Sequence, residues 1–259
     1  MACMMNGSNA LPCVVIVGLA SCFGCQLQIT NAESHLLDVV GQIDLKYWQL
    51  ASSEEMPEGT FDVVVIEGAV TTEEGAQTVR DLRARCKTLI AIGACATTAG
   101  IPGMAAHGHG EHVERVYGEL PYACGHAIAP RSVSSVVDVD YEVRCCPVDS
   151  MEFIQILQRA LYGSNATLST GTLCASCKRN EDMCFWAQGK QCLGLVTLAG
   201  CGAKCVNLGR ECNGCRGLSP DANLDAARNL VKRYGMDEKA FDDSLEIFNQ
   251  TDPMLQGAR

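Results

Sequence analysis

Over the first 160 residues, hydrophobic positions fall in short runs separated by helix-length segments. Cys13–Gly18 (CVVIVG) is a β-rich apolar run ending in the small-residue turn Leu19-Ala20-Ser21. From Gln26 to Val40 apolar residues recur at helical spacing, which predicts a helix. Ile43–Leu50 alternates like a half-buried strand, whereas Phe61–Val70 (FDVVVIEGAV) and Lys87–Gly93 (KTLIAIG) read as fully buried ones. Between these two, Thr71 and Thr72 followed by Glu73 and Glu74 mark a helix N-terminus, with Gly75–Cys86 as the helix. A further strand is expected at Val136–Arg144 and a further helix around Met151–Tyr162. Strand and helix alternating in this way predict an α/β fold built on a parallel, doubly wound sheet. Gly100–Arg131, with six glycines and three prolines, predicts irregular chain packed over a sheet edge.

The pattern changes at Gly163. A small-residue linker, GSNATLSTGT, leads into a cysteine-dense stretch whose fold metal bonds would dictate. Asn223 to Gln250 carries two short amphipathic helices separated at Gly235–Asp237. The chain therefore divides into an α/β domain, residues 1–165, and a smaller cysteine-rich domain, residues 166–259.

Composition narrows the classes. A hydrophobic content of 47% with 19% charged residues describes a globular chain. A formal charge of −10 argues against nucleic acid or an anionic membrane surface as partner. The run Leu11–Ala20 is too short to span a bilayer, and no positively charged side chain precedes it. With no secretory signal and no twin-arginine pair, the expected compartment is the reducing cytoplasm, where clustered cysteines bind metal more often than they form disulfides.

Of 17 cysteines, eight lie between Cys174 and Cys215, at C-x2-C-x6-C-x7-C-x8-C-x3-C-x6-C-x2-C. Eight thiols suffice for two four-cysteine centres. Four more sit at the ends of expected strands: Cys22 and Cys25 after the first, Cys95 after KTLIAIG, Cys146 after Val136–Arg144. Loops at the carboxyl ends of strands in an open α/β sheet converge on one edge, so these four are brought together by topology. Gly24, Gly93 and Ala94 would let backbone amides approach cluster sulfur. A Cys-x-x-Cys beside an α/β pattern also suits a thioredoxin-like redox pair, and four-thiolate sites also suit zinc.

The segments LASCFGCQLQI (Leu19–Ile29), IEGAVTTEE (Ile66–Glu74), AIGACA (Ala91–Ala96) and CCP (Cys145–Pro147) resemble small subunits of nickel–iron hydrogenases. The resemblance is to the cytoplasmic, pyridine-nucleotide-linked class that includes the delta subunits of sulfhydrogenases. It continues through CLGLVTLAGCGAKC (Cys192–Cys205) and CNGCRG (Cys212–Gly217) and so covers nearly the whole chain. It implies a flavodoxin-like first domain in which Cys22, Cys25, Cys95 and Cys146 hold a proximal [4Fe-4S] cluster. The family often has Gly-Cys-Pro-Pro where this chain has Cys145-Cys146-Pro147-Val148, which makes Cys145 a rival for the last ligand. Phe23 and Gly24 inside the first motif imply an ordinary four-cysteine cluster.

Two partitions of the remaining eight stand open. A ferredoxin-type exchange gives Cys174, Cys177, Cys184 and Cys215 against Cys192, Cys201, Cys205 and Cys212. The sequential order that the resemblance implies, and the one preferred, gives a distal set, Cys174, Cys177, Cys184 and Cys192, then a medial set, Cys201, Cys205, Cys212 and Cys215. The resemblance further implies three [4Fe-4S] clusters here, a nickel–iron centre on a large-subunit partner, and a diaphorase-type subunit carrying flavin or further clusters. The chain would then relay electrons and contribute no acid–base residue to H2 chemistry. Two other readings remain: a zinc-stabilised non-redox scaffold, and the cluster-bearing subunit of the respiratory quinone reductase, which lacks the eight-cysteine lobe. His107, His109 and His112 (HGHGEH) are expected in a solvated or partner-facing loop, and most of the leftover Cys3, Cys13, Cys86, Cys124 and Cys145 as structural or free thiols. Glu67, at a strand end, suits either a cluster lining or an ordinary carboxylate. No glycine-rich nucleotide motif is present, and the loop that would cradle a flavin phosphate carries Cys22 and Cys25.

Overall fold

The computed structural model describes residues 11–32, 34–107, 109–118, 125–179 and 183–256. In chain order its elements are β1 (Cys13–Gly18), α1 (Gly24–Thr30), α2 (Ser34–Val40), β2 (Asp44–Trp48), β3 (Phe61–Glu67), β4 (Val70–Thr72), α3 (Glu73–Ala84), β5 (Cys86–Ile92) and α4 (Gly93–Thr98). These are followed by α5 (His109–Tyr117), β6 (Ala127–Arg131), β7 (Tyr141–Val143), α6 (Ser150–Tyr162) and α7 (Leu173–Arg179). The last are α8 (Lys204–Asn207), α9 (Leu224–Arg233), α10 (Glu238–Asn249) and α11 (Pro253–Gln256).

Five strands form one parallel sheet in the order β2-β1-β3-β5-β7. The period-two alternation of each strand feeds two layers. Val14, Ile16, Val63, Val65, Ile90 and Ile92 face a core shared with Ile29, Val39, Phe153 and Ile156. Their neighbours Val15, Val17, Val64, Ile66, Leu89 and Ala91 face Ala76, Val79 and Leu82 of α3 on the other side. Burial on both faces is why these strands are continuous apolar runs, and it is what defines the doubly wound architecture.

Several expectations change in detail. The helix over Gln26–Val40 is two helices. Ala32 N–H bonds back to Ile29 O, and the Thr30 hydroxyl donates to Leu27 O at 2.7 Å, ending α1 where Thr30 and Asn31 disfavour continuation. The strand beginning at Phe61 stops at Glu67, because the chain turns at Gly68 (φ +101), where a Cβ would meet the Leu19 backbone at 2.7 Å. Val70–Thr72 then pairs antiparallel with Ala127–Arg131, so ordered strand appears inside the loop-rich region. Only Tyr141–Val143 joins the sheet from the expected Val136–Arg144 strand; Val136, Val137 and Val139 pack on the core from outside the ladder. Helix α5 begins at His109, so HGHGEH is helical from that residue on and not a loop, with His112 exposed.

The C-terminal lobe has its own core. Leu173, Phe185, Trp186, Leu193, Val196 and Val206 pack with Leu224, Val231, Phe241 and Leu245 of the two tail helices, and Cys192 and Cys212 are buried among them. Arg216 joins the lobe to the α/β domain. Only 1% exposed, its guanidinium donates to both oxygens of Glu152 on α6 at 2.7 and 2.8 Å, to Arg144 O at 2.7 Å and to Ala199 O at 2.8 Å. Lys204 pairs with Asp149, the residue that caps α6, close by. Among the described residues no helix is long and apolar enough to cross a membrane.

Candidate metal centres

The sheet delivers the first cysteine set to one edge. Cys22 and Cys25 lie in the β1–α1 turn, with Phe23 in the left-handed region (φ 58) at the start of α1. Cys95 sits in α4, which begins directly at the end of β5, and Cys146 follows β7. The four thiols lie within electrostatic reach of one another: Cys146 and Cys95 act on Cys25, Cys146 and Cys22 on Cys95, and Cys22 on Cys146.

Their backbone frame is tied together by hydrogen bonds. Ala94 N–H donates to Cys145 O at 2.8 Å, joining the β5 and β7 loops, and Val148 N–H donates to Cys25 Sγ at 3.4 Å. Gly93 (φ +80) underlies the site, where any Cβ would overlap Cys25 Sγ. Burial pushes the Cys25 thiol up strongly and, with the neighbouring Cys146, Cys22 and Glu67, pushes Cys95 up to about 11. Cys146 is raised for the same reasons. Four converging thiols beside a buried carboxylate form a donor set that cationic iron would deprotonate and stabilise, which is the chemistry of a thiolate-bound cluster.

Glu67 belongs to this site. Only 1% exposed, it accepts Cys25 N–H at 3.1 Å and the Gln26 amide at 2.8 Å, and Gln26 in turn accepts the Trp48 indole N–H at 2.8 Å. Burial raises its pKa against those bonds. Gln26 and Trp48 carry no motif; their role follows from being the polar groups inside an otherwise apolar layer.

In the lobe, a Cβ at Gly194 would lie 3.7 Å from the sulfurs of both Cys174 and Cys192, and Cys184 acts on Cys192. Cys177 packs at the edge of the same core. Cys212 N–H donates to Cys192 Sγ at 3.3 Å, and burial pushes the Cys212 thiol up to about 12. Cys205, on α8, is exposed. Cys145 turns away from the first set: its sulfur lies 3.7 Å from Cys215 Sγ and shares a hydrogen bond with Cys201. That bond pulls the Cys145 thiol down, but Cys215 and burial outweigh it and push it up to about 12. Sequence named Cys145 only as a rival last ligand or a structural or free thiol, and the structure sets it against Cys215 and Cys201 and not against the first set. Cys3 and Cys124 lie outside the described residues. Among the described residues, no three His, Cys, Asp or Glu side chains are grouped at the spacing of a single bound metal ion.

Comparison with known proteins places this arrangement. The model of a family described as "NADH ubiquinone oxidoreductase, 20 Kd subunit" matches residues 22–160, the α/β domain with the first cysteine set. The sulfhydrogenase 2 subunit delta of Pyrococcus furiosus is 33% identical over 85% of this chain and 92% of its own. A subunit of the vhu F420-non-reducing hydrogenase of Methanocaldococcus jannaschii is 28% identical over 92% of this chain and 93% of its own. The solved actinobacterial-type NiFe-hydrogenase from Ralstonia eutropha H16 shares the fold, with a TM-score of 0.57 at 19% identity over 88% of both chains. The family match ends before the eight-cysteine lobe and the hydrogenase relatives continue through it. This chain therefore belongs to the NADH ubiquinone oxidoreductase 20 Kd subunit family, and within that family to the small subunits of nickel–iron hydrogenases.

Proposed function

We propose that the chain carries electrons between the nickel–iron site of a large subunit and an acceptor module, using twelve cysteines that hold three [4Fe-4S] clusters. Each cluster, when bound, supplies a one-electron carrier whose potential the surrounding protein sets. What the chain's residues do is hold and bias the carriers. Cys22, Cys25, Cys95 and Cys146 form the proximal set; the observation that carries this reading is their mutual proximity at one sheet edge, beside buried Glu67.

The sequential partition of the other eight is favoured over the ferredoxin-type exchange. Cys174 and Cys192 share the space at Gly194, and Cys201 and Cys215 share the neighbour Cys145. The exchange would separate both pairs. A distal set of Cys174, Cys177, Cys184 and Cys192 and a medial set of Cys201, Cys205, Cys212 and Cys215 keep them together. Both lobe sites lie beyond an inter-domain boundary near residue 165, supported by cores that share no residue. Clusters are favoured over the zinc scaffold because the relatives that match along most of this chain are hydrogenase subunits, whose work is redox chemistry that zinc does not perform.

The names of two relatives, an F420-non-reducing hydrogenase and an NAD-reducing hydrogenase, point to complexes with distinct acceptors, so a diaphorase-type partner and a cytoplasmic setting are part of this proposal. The test is anaerobic purification of the complex from its native host, with iron, acid-labile sulfide, nickel and zinc counted per polypeptide. About twelve iron and twelve sulfide on this chain is the expected result, by the twelve-thiolate count. Stoichiometric zinc without sulfide would overturn it.

A further inference from the structure

Cys145 and Cys146 are neighbours in sequence but serve different surroundings. In the irregular chain after β7 their side chains diverge: Cys146 meets Cys22, Cys25 and Cys95, whereas Cys145 meets Cys201 and Cys215. We propose that Cys145 is a positioning and tuning residue of the medial site, its one S–H donating to the ligand sulfur of Cys215, 3.7 Å away, with Cys201 beside it. The inference rests on the three-cluster reading above and adds a thirteenth cysteine to it.

Three features fix the thiol in place. Cys145 is 8% exposed, so its S–H faces protein sulfur in preference to water. Its carbonyl accepts Ala94 N–H, pinning it from the proximal side. The preceding carbonyl, Arg144 O, accepts from buried Arg216, pinning it from the lobe side. Arg216 and Lys204 are the cations within electrostatic reach of Cys145 and Cys201, and Glu152 and Asp149 pair with them. The Cys145–Cys146 peptide therefore joins a proximal ligand to a group in contact with the medial ligands.

A hydrogen bond donated to a ligand thiolate stabilises the more negative, reduced state, and so raises the reduction potential of the site it touches. Cys145→Ala deletes that donor, and Cys145→Ser replaces it with a hydroxyl donor of similar size. Both variants would be made in the complete hydrogenase complex, with iron and sulfide counted and each cluster's midpoint followed by redox titration with electron paramagnetic resonance. The expected result is unchanged iron in both variants, a more negative medial midpoint in Cys145→Ala alone, and proximal and distal midpoints that stay put. An unmoved or more positive medial midpoint in Cys145→Ala, or a shift confined to the proximal cluster, overturns the proposal. Loss of about four iron from Cys145→Ala would overturn it too, by making Cys145 a ligand, since a [4Fe-4S] cluster is what one thiolate set holds. Failure of the underlying reading shows separately, as fewer than three clusters in the unsubstituted complex.

Discussion

No side chain fits at Gly93. Its φ of +80 suits glycine, and an added Cβ would collide with Cys25 Sγ at the first cysteine set. Gly93→Ala should therefore expel that sulfur from its position and cost the proximal cluster while leaving the lobe sites loaded. The expected count falls from about twelve iron per chain to about eight, a loss of one four-iron unit; a fully loaded variant would show that Cys25 is not a ligand. At this scale sequence was informative where chemistry is repeated. The meeting of Cys22, Cys25, Cys95 and Cys146 was legible because strand ends converge at one edge by topology. Glu67 was only half legible, and Gln26, Trp48 and Arg216 not at all, since a single buried polar residue announces itself only through the partner that satisfies it.

Elements were legible to the extent that burial, and not pairing, defines them. β1 and β5 followed their apolar runs, and β3 followed its run as far as the turn at Gly68, because each is covered on both faces. β7 shortened to three residues since Val136, Val137 and Val139 are equally well buried by packing on the outside of the core, and apolar character does not reveal whether a residue joins a ladder. The split between α1 and α2 escaped the periodicity because both halves keep the same apolar face, Ile29 and Val39 sharing one core. End signals did better. Thr72 caps α3 through its hydroxyl, which accepts Gly75 N–H at 3.0 Å, with Glu73 and Glu74 in the first turn as the sequence reads. Thr72→Ala should cost about 1 kcal/mol, lowering the melting temperature by roughly 2–4 °C for a chain of this size. Thr72→Ser should keep most of that stability. Calorimetry on the anaerobic complex would read both, and equal melting temperatures for wild type and Thr72→Ala would remove the cap from the account.

At the scale of the whole molecule, one buried ion pair ties the cysteine-rich C-terminal segment to the α/β core. Cores on either side of the linker share no residue, so the distance and angle between the proximal set and the lobe sites are held by contacts across the boundary. Arg216 supplies the most specific of these, with both Glu152 oxygens and two backbone carbonyls as acceptors and nearly complete burial. Such a pair adds little net stability against a well-packed apolar pair, yet breaking it strands a buried carboxylate and costs about 3–5 kcal/mol. Arg216→Leu should thus lower the urea midpoint of the loaded complex and speed proteolytic cutting between residues 163 and 172. Adding Glu152→Leu should restore most of the urea midpoint, because the uncompensated charge is gone. Resistance to cutting should recover less, since Arg144 O and Ala199 O still lack their donor. If the single and double variants lose equal stability, the pair is acting only through its packing, and the coupling between the proximal site and the lobe must be sought instead in Lys204–Asp149 and in the Cys145 contact.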